Sequence, residues 1–507
     1  MSKRLFCLLL CLVLLALPIG AFAADEGLFT FGMVYEVGAV VNPLACSQRD
    51  LISLNELVFE SVIALDDELR PRCELALNYE VSGSVFTFHL RENVMFHDGN
   101  FLSAPDVQAS YKRIMQIGQN SPYYTRCSYI SDMEVVDLYT LRVTGKNTSY
   151  YTLYAMTFPV VESNSLDLIL PYGTGPYRYI STDTEQIWLE ANPTWWKKAP
   201  TVDLVLVRRY DETEQALNAL SEGDIDAVPT RSQSAALGLL LSDRERYDYS
   251  TLTYEMLIPT LNNEVFKDVR TRQAIMYAID ISTIAQNIYM NMVMETEVPV
   301  ITGSWLYEPQ SAVYYLSLER ALQLLNEAGW GDYNNDGILD RVVDGLLVQL
   351  EFTITTYVDD NANTRAHAAE MIAEQLSVLG IRVTVEKVSK SRLERRLKDR
   401  EFDMVLCAVN LAFLPDLTFL LNSGGRMNYS GYSSADMNVL VQGLYSTTDE
   451  ERFKALFSDI QILISDDLPF MGLFFRKGTL MTTANVTGFR PVVEGNALQG
   501  FEYIQFN

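Results

Sequence analysis

The apolar and polar positions alternate cleanly in two places in the first half of the chain. Residues 84–91 ("SVFTFHLR") carry the period of a half-buried strand, and "VDLVLVRRY" (202–210) repeats it. After the second comes "DETEQALNALSEGDIDAV", in which Ala216, Leu217 and Leu220 share a helix face and Gly223 stands where a C-terminal cap belongs. Farther on, "LERALQLLNEAGW" places Leu318, Ala321, Leu322, Leu325 and Ala328 on one stripe, ended by Gly329. "LLVQLEFTITTYV" then reads as one strand closing near Val358. Asp359 to Thr364 cap a helix burying Ala369, Ile372, Leu376 and Leu379, and Gly380 stops it. "IRVTVEKV" is a strand, "SRLERRLKDR" a short helix and "FDMVLCAV" a strand.

Strand–helix–strand–helix–strand predicts a parallel α/β sheet with right-handed crossovers. Ligands of such sheets sit outside the carboxyl ends of the strands. That places Val358 to Asn361, Ser389 to Ser391 and Asn410 to Phe413 at a crevice. Beyond it, Thr448-x-x-Glu451 is a capping box. Phe453, Leu456, Phe457, Ile460 and Leu463 form the stripe behind it, and "LPFMGLFF" (468–475) returns to strand.

At 507 residues the chain is too long for a single core, and 48% apolar residues mark it as globular. The start, "MSKRLFCLLLCLVLLALPIGAFAADEG", has a basic n-region, an apolar run and Ala21-Phe22-Ala23, a signal-peptide pattern with cleavage expected after Ala23. Cys11 lies inside the apolar run without a lipobox, so the expectation is a free exported protein, in a periplasm or at the outer face of the membrane. Losing Lys3 and Arg4 deepens the net charge from −26 to −28, dispersed along the chain, which disfavours nucleic acid and anionic membrane as partners. Cys46, Cys73, Cys127 and Cys407 remain. One disulfide among the first three and buried free thiols are both open readings.

Chemistry-bearing patterns are sparse. The three histidines are His89, His97 and His367, and no HExxH, GxSxG or glycine-rich phosphate loop occurs. His97-Asp98-Gly99-Asn100 reads as a hydrogen-bonded corner before a helix capped by Ser103, with Pro105 in its first turn. An extracellular hydrolase is the remote alternative, and no cofactor is expected. "DYNNDGILD" sets Asp332, Asn334, Asp336 and Asp340 at calcium-loop spacing, with Gly337 at the turn, but Val343 occupies the position of the bidentate carboxylate. The readings are a weak structural Ca²⁺ site or an Asx-rich turn.

Several segments together resemble one family. "FTFHLRENVMFHDGNFLSAPDVQASYKRI", "YGTGPYRYI", "LEANPTWWKKAPTVDLVLVRRY", "VFKDVRTRQAIMYAID", "EAGWGDYNNDGILD" and "NYSGYSSADMNVLV" are similar, in order, to solute-binding proteins of peptide- and nickel-type ABC importers (family 5). The resemblance implies a two-lobed periplasmic-binding-protein clamshell of type II, the large peptide-binding subclass. Lobe I would hold residues 24–255 and 470–507, with an accessory subdomain at about 45–165. Lobe II would hold 256–469, with hinge segments near Tyr254–Thr260 and Leu468–Leu473. It further implies a non-enzymatic, monomeric protein that closes on a peptide or related small solute and presents it to a membrane permease.

The family's strand end carries a tryptophan and an aspartate that meets a peptide's amino terminus. Here, in "LCAVNLAFLPD", those positions fall on Ala408 and Leu411, and Asp416 lies too far along to substitute. Glu36 is the candidate replacement charge, with Tyr254, Asn410, Leu411 and Phe413 as further ligand-binding candidates. A longer or blocked peptide, an oligosaccharide, another apolar solute or a metal chelate remain alternatives, as does a sensor role.

Overall fold

The computed structural model describes residues 27–232, 244–358 and 363–506. The expected signal peptide and the crevice positions Asp359 to Asn361 lie outside them. No described helix is long and apolar enough to cross a membrane.

One large mixed sheet runs through the molecule. At its amino-terminal end Leu28–Val34 lies parallel to Leu204–Tyr210, which continues antiparallel through Gln186–Ala191 to Tyr177–Thr182. At the other end Glu351–Tyr357 sits between Arg382–Val388 and Met404–Asn410, parallel to both, as the strand–helix alternation requires. Two long antiparallel strands, Arg244–Pro259 and Met471–Thr483, join these regions. The expected hinge segments begin in or just before these two strands. Their pairing is broken between Ser250 and Tyr254, where the first strand carries two extra residues against its partner. A separate four-stranded antiparallel sheet, Ala76–Ser82, Val85–Leu90, Thr140–Gly145 and Ile130–Val135, packs with the helix Ala104–Ile117. Val85–Leu90 shows the alternating burial read from its sequence.

Three local expectations are corrected. "LLVQLEFTITTYV" is two strands: Leu346–Gln349 turns back on Asp340–Val343, and Glu351–Tyr357 joins the main sheet. Asp344 and Gly345 both have positive φ, the conformation of a tight hairpin turn, which the continuous apolar run concealed. In Leu318–Glu327 the buried face is Ala321, Leu324 and Leu325, while Leu318 and Leu322 are exposed. The helix behind the expected Thr448 box is capped instead by Asp449, whose carboxylate accepts from the Arg452 amide at 2.8 Å.

The largest apolar cluster is continuous from the four-stranded sheet to the helix Glu450–Asp467. Tyr150 and Tyr151 pack on Phe453 at ring distances of 5.1 Å, so the segment after the four-stranded sheet touches that helix. A second cluster fills the interior around Trp330, Ile354 and Ile372.

Candidate ligand-binding site

A cavity of about 810 Å³ opens beside the carboxyl end of Met404–Asn410, and Asn410, Leu411 and Phe413 stand on its wall. Three of the five expected ligand residues are thereby brought together by the sheet rule alone. The Leu411 amide donates to the Leu252 carbonyl at 2.8 Å. Leu252 belongs to the bulged stretch of the long strand, so the bulge turns this side chain into the cavity. A smaller annex of about 70 Å³ shares Leu252, Leu411 and Leu414 and is lined by Leu65, Val300, Trp305 and Phe457. Its surface is mostly hydrocarbon, which suits an apolar side chain.

The opposite wall is polar and comes mainly from residues 56–197. Glu60 accepts from Thr174 Oγ1 at 2.8 Å, Trp196 Nε1 at 2.8 Å and Trp195 Nε1 at 3.3 Å, and meets Lys197 Nζ at 3.1 Å. Lys197 also reaches Glu74 at 2.8 Å. Burial favours its neutral form, but Glu74 and Glu60 outweigh it and keep the ammonium charged. Arg126 donates to Thr157 Oγ1 at 2.9 Å and lies over the Phe413 ring at 4.9 Å, a cation–π contact. Glu56 lies on the same wall. It is exposed to the cavity, and desolvation by the surrounding wall pushes its carboxyl up to about 8, helped by Glu74 and opposed by Arg126.

Asp416 closes one end. Its carboxylate accepts from Tyr129 Oη, from Tyr445 Oη at 2.6 Å and from Thr418 Oγ1 at 2.6 Å. Tyr129 and Asp416 both line the cavity and are 287 residues apart, so this bond joins two distant segments of its wall. The sequence left Asp416 unassigned because its two tyrosine partners are 287 and 29 residues away.

Other expectations fall elsewhere. Glu36 is exposed and does not line the cavity. Tyr254 is fully buried, packed on Phe475 at 4.9 Å, and serves the core of the joining strands. Ser389 caps the helix Lys390–Asp399, and Val358 is exposed outside the cavity. Within the Asp332–Asp340 loop Asp332 accepts from the Asp336 and Gly337 amides, Asn334 from Asp336, and Asp336 from Ile338. Among the described residues no group of three or more His, Cys, Asp or Glu could hold a metal. These hydrogen bonds are those of an Asx-rich turn. All four described cysteines are free thiols, which corrects the bridge reading; burial pushes Cys46 up to about 11 and Cys127 to about 12.

His97 is structural. Its Nδ1 accepts from the Gly173 amide at 3.2 Å and its Nε2 lies 3.1 Å from the Gly175 carbonyl, a pairing that needs the neutral ring. Burial supplies that by holding its pKa down to about 4. Both glycines press on the Leu57–Val58 backbone, where a Cβ on Gly173 would meet Val58 O at 2.0 Å. The corner thus fixes the segment carrying Glu56 and Glu60.

These groups set an expected pH profile. Glu56 at about 8, Asp50 at about 7 and Glu297 at about 7 are all raised, chiefly by burial, so the folded state holds protons that the unfolded chain has released. Stability should therefore rise as pH falls from about 8 towards 5. His97 acts oppositely, costing stability as pH falls from 6.5 towards 4. Calorimetry across this range should show a Tm maximum at about pH 5–6. A Tm rising steadily to pH 8 would contradict it.

"Bacterial extracellular solute-binding proteins, family 5 Middle" describes the family matched by residues 70–430. The chain belongs to this family. The family 5 membership excludes the hydrolase alternative: this is a binding protein, not an enzyme. It is 24% identical over 478 residues to the oligopeptide-binding protein AppA of Bacillus subtilis, covering 89% of this chain and 86% of that one. The crystal structure of AppA with a nonapeptide is similar at a TM-score of 0.63, 22% identity, covering 95% and 99% of the two chains. A nickel ABC transporter structure from Bacillus halodurans superposes at 0.83, with 19% identity, over 95% and 100%. The two-lobed clamshell is the fold these structures share.

Sequence reading missed the amino-terminal wall: Glu56, Glu60, Arg126, Tyr129 and Lys197. One signal was present. "NELVFES" holds two glutamates four residues apart among residues that read as core. Carboxylates so placed need either partners or a cavity.

Proposed function

We propose that this family 5 protein binds peptides in the 810 Å³ cavity and delivers them to an ABC permease. Export after residue 23 and lobes divided near residues 255 and 470 belong to this proposal. The cavity itself carries the reading. It lies between the lobes and pairs an apolar wall and annex with a wall of carboxylates and guanidinium, matching a chain of apolar side chains and charged ends. The relatives named as oligopeptide-binding favour the same class.

The test is native mass spectrometry of the exported protein with random peptide pools, beside nickel–histidine, haem and oligosaccharides, with small-angle scattering of each mixture. Peptide retention with a decrease in radius of gyration is expected. Capture of a chelate or sugar, with no peptide retained, overturns the reading. Leu65→Glu, in the annex, should disfavour peptides with large apolar side chains by about 10-fold or more while sparing glycine-rich ones.

A further inference from the structure

We propose that Glu56 is the residue that receives a cationic nitrogen of the bound peptide, an ammonium from its amino terminus or from a lysine side chain. This rests on the peptide reading and assigns the anchor that Leu411 leaves vacant on the opposite wall.

Three observations carry it. First, Glu56 lines the cavity, and among the described residues no hydrogen bond or ion pair engages its carboxylate. The other acids of the wall are occupied. Glu60 has Thr174, both tryptophans and Lys197; Glu74 has Lys197; Asp416 has two tyrosines and a threonine; Glu502 has its own backbone and the field of Lys197. Second, the facing strand end presents Leu411, Ala412, Phe413 and Leu414, with no open carboxylate. Third, the field around Glu56 is acidic. Glu74 acts on it more strongly than Arg126, whose guanidinium is spent on Thr157 and on the faces of Tyr123 and Phe413. Tyr123, the remaining ionisable neighbour, is held neutral by burial. A carboxylate exposed to the cavity without a partner is open to a ligand, and a ligand ammonium supplies a charge-assisted bond.

Occupation has a proton signature. In the empty cavity Glu56 stays largely protonated at neutral pH. Pairing with an ammonium ionises it, so binding at pH 7 should release about one proton.

The experiment uses three random tripeptide pools on the full-length exported protein: free amines, amino-terminally acetylated with lysine retained, and acetylated on all amines. Occupancy is read by native mass spectrometry, and the best-retained peptide is titrated by calorimetry in buffers of different ionisation enthalpy. The wild type should prefer free amines over full acetylation by about 10- to 100-fold. Retention of the second pool assigns the lysine nitrogen, and its loss assigns the amino terminus. Glu56→Gln should erase the preference and the proton release while keeping or raising Tm, since it removes an unpaired acid. If E56Q keeps the preference, or the wild type takes free and fully acetylated pools equally, the inference fails and the peptide reading stands. If no pool binds, the peptide reading fails and this inference with it.

Discussion

Glu255→Ala should destabilise the protein by about 3–5 kcal/mol, the largest loss expected from a single substitution here. Glu255 is wholly buried on the strand Arg244–Pro259. It meets Arg365 Nε and Nη2 at 2.9 Å each and Arg476 Nε at 2.7 Å. Arg365 is 2% exposed and opens the helix Thr364–Ser377, while Arg476 lies on the second joining strand. One carboxylate thus ties both joining strands to a helix beside the strand ends. Removing it takes a two-pronged carboxylate partner from the desolvated guanidinium of Arg365, which also lies over the Tyr357 ring. Arg476→Met should cost less, because Glu255 keeps its two-pronged partner and Arg476 is partly exposed.

The pH sign follows. Burial favours protonation of Glu255, but Arg365 and then Arg476 overcome it and hold the carboxyl below its usual range. Its contribution is present above the unfolded value of 4.5 and is lost as pH falls through the depressed folded value. Guanidinium denaturation followed by circular dichroism at pH 7 and pH 3 measures both effects. A change below about 1 kcal/mol for E255A at pH 7 would show that the triad contributes no more than a surface pair.

This triad also marks where sequence reading stops. The parallel sheet was legible because Ile354, Val385 and Val405 sit in short apolar runs separated by amphipathic helices, and that periodicity follows from backbone geometry. Asn410, Leu411 and Phe413 were legible for the same reason, since a strand's carboxyl end is a place in the sequence as well as in space. Glu255, Arg365 and Arg476 are 110 and 221 residues apart, and nothing local distinguishes them from surface charges. The amino-terminal cavity wall shares this character. Glu56 and Arg126 come from different elements, and their meeting is a product of tertiary packing. Glu36 failed as a candidate because a strand end near a predicted rim resembles one inside it, and only the direction of the side chain separates the two.

Tyr129→Phe should open the unliganded protein and weaken peptide binding by about 10-fold. The Tyr129 hydroxyl donates to the Asp416 carboxylate between two segments of the cavity wall, and Tyr151 Oη donates to the neighbouring Pro415 carbonyl at 3.3 Å. Burial, reinforced by Asp416, keeps the Tyr129 phenol protonated far above neutral pH, so this donor is constant under physiological conditions. A hydrogen bond to a charged acceptor contributes about 1.5–3 kcal/mol. Phenylalanine forfeits it while keeping the ring contacts with Tyr151 and Tyr445. Asp416 retains Tyr445 and Thr418, so the loss bears on closure rather than on the fold of either lobe. A peptide that requires the closed form then binds in proportion to the fraction closed. Both residues also line the cavity, so affinity alone cannot separate a weakened latch from a lost ligand contact. Scattering without peptide makes the separation. A larger radius of gyration for Y129F than for wild type assigns the bond to closure, whereas equal radii with weakened binding assign it to the ligand and refute the latch.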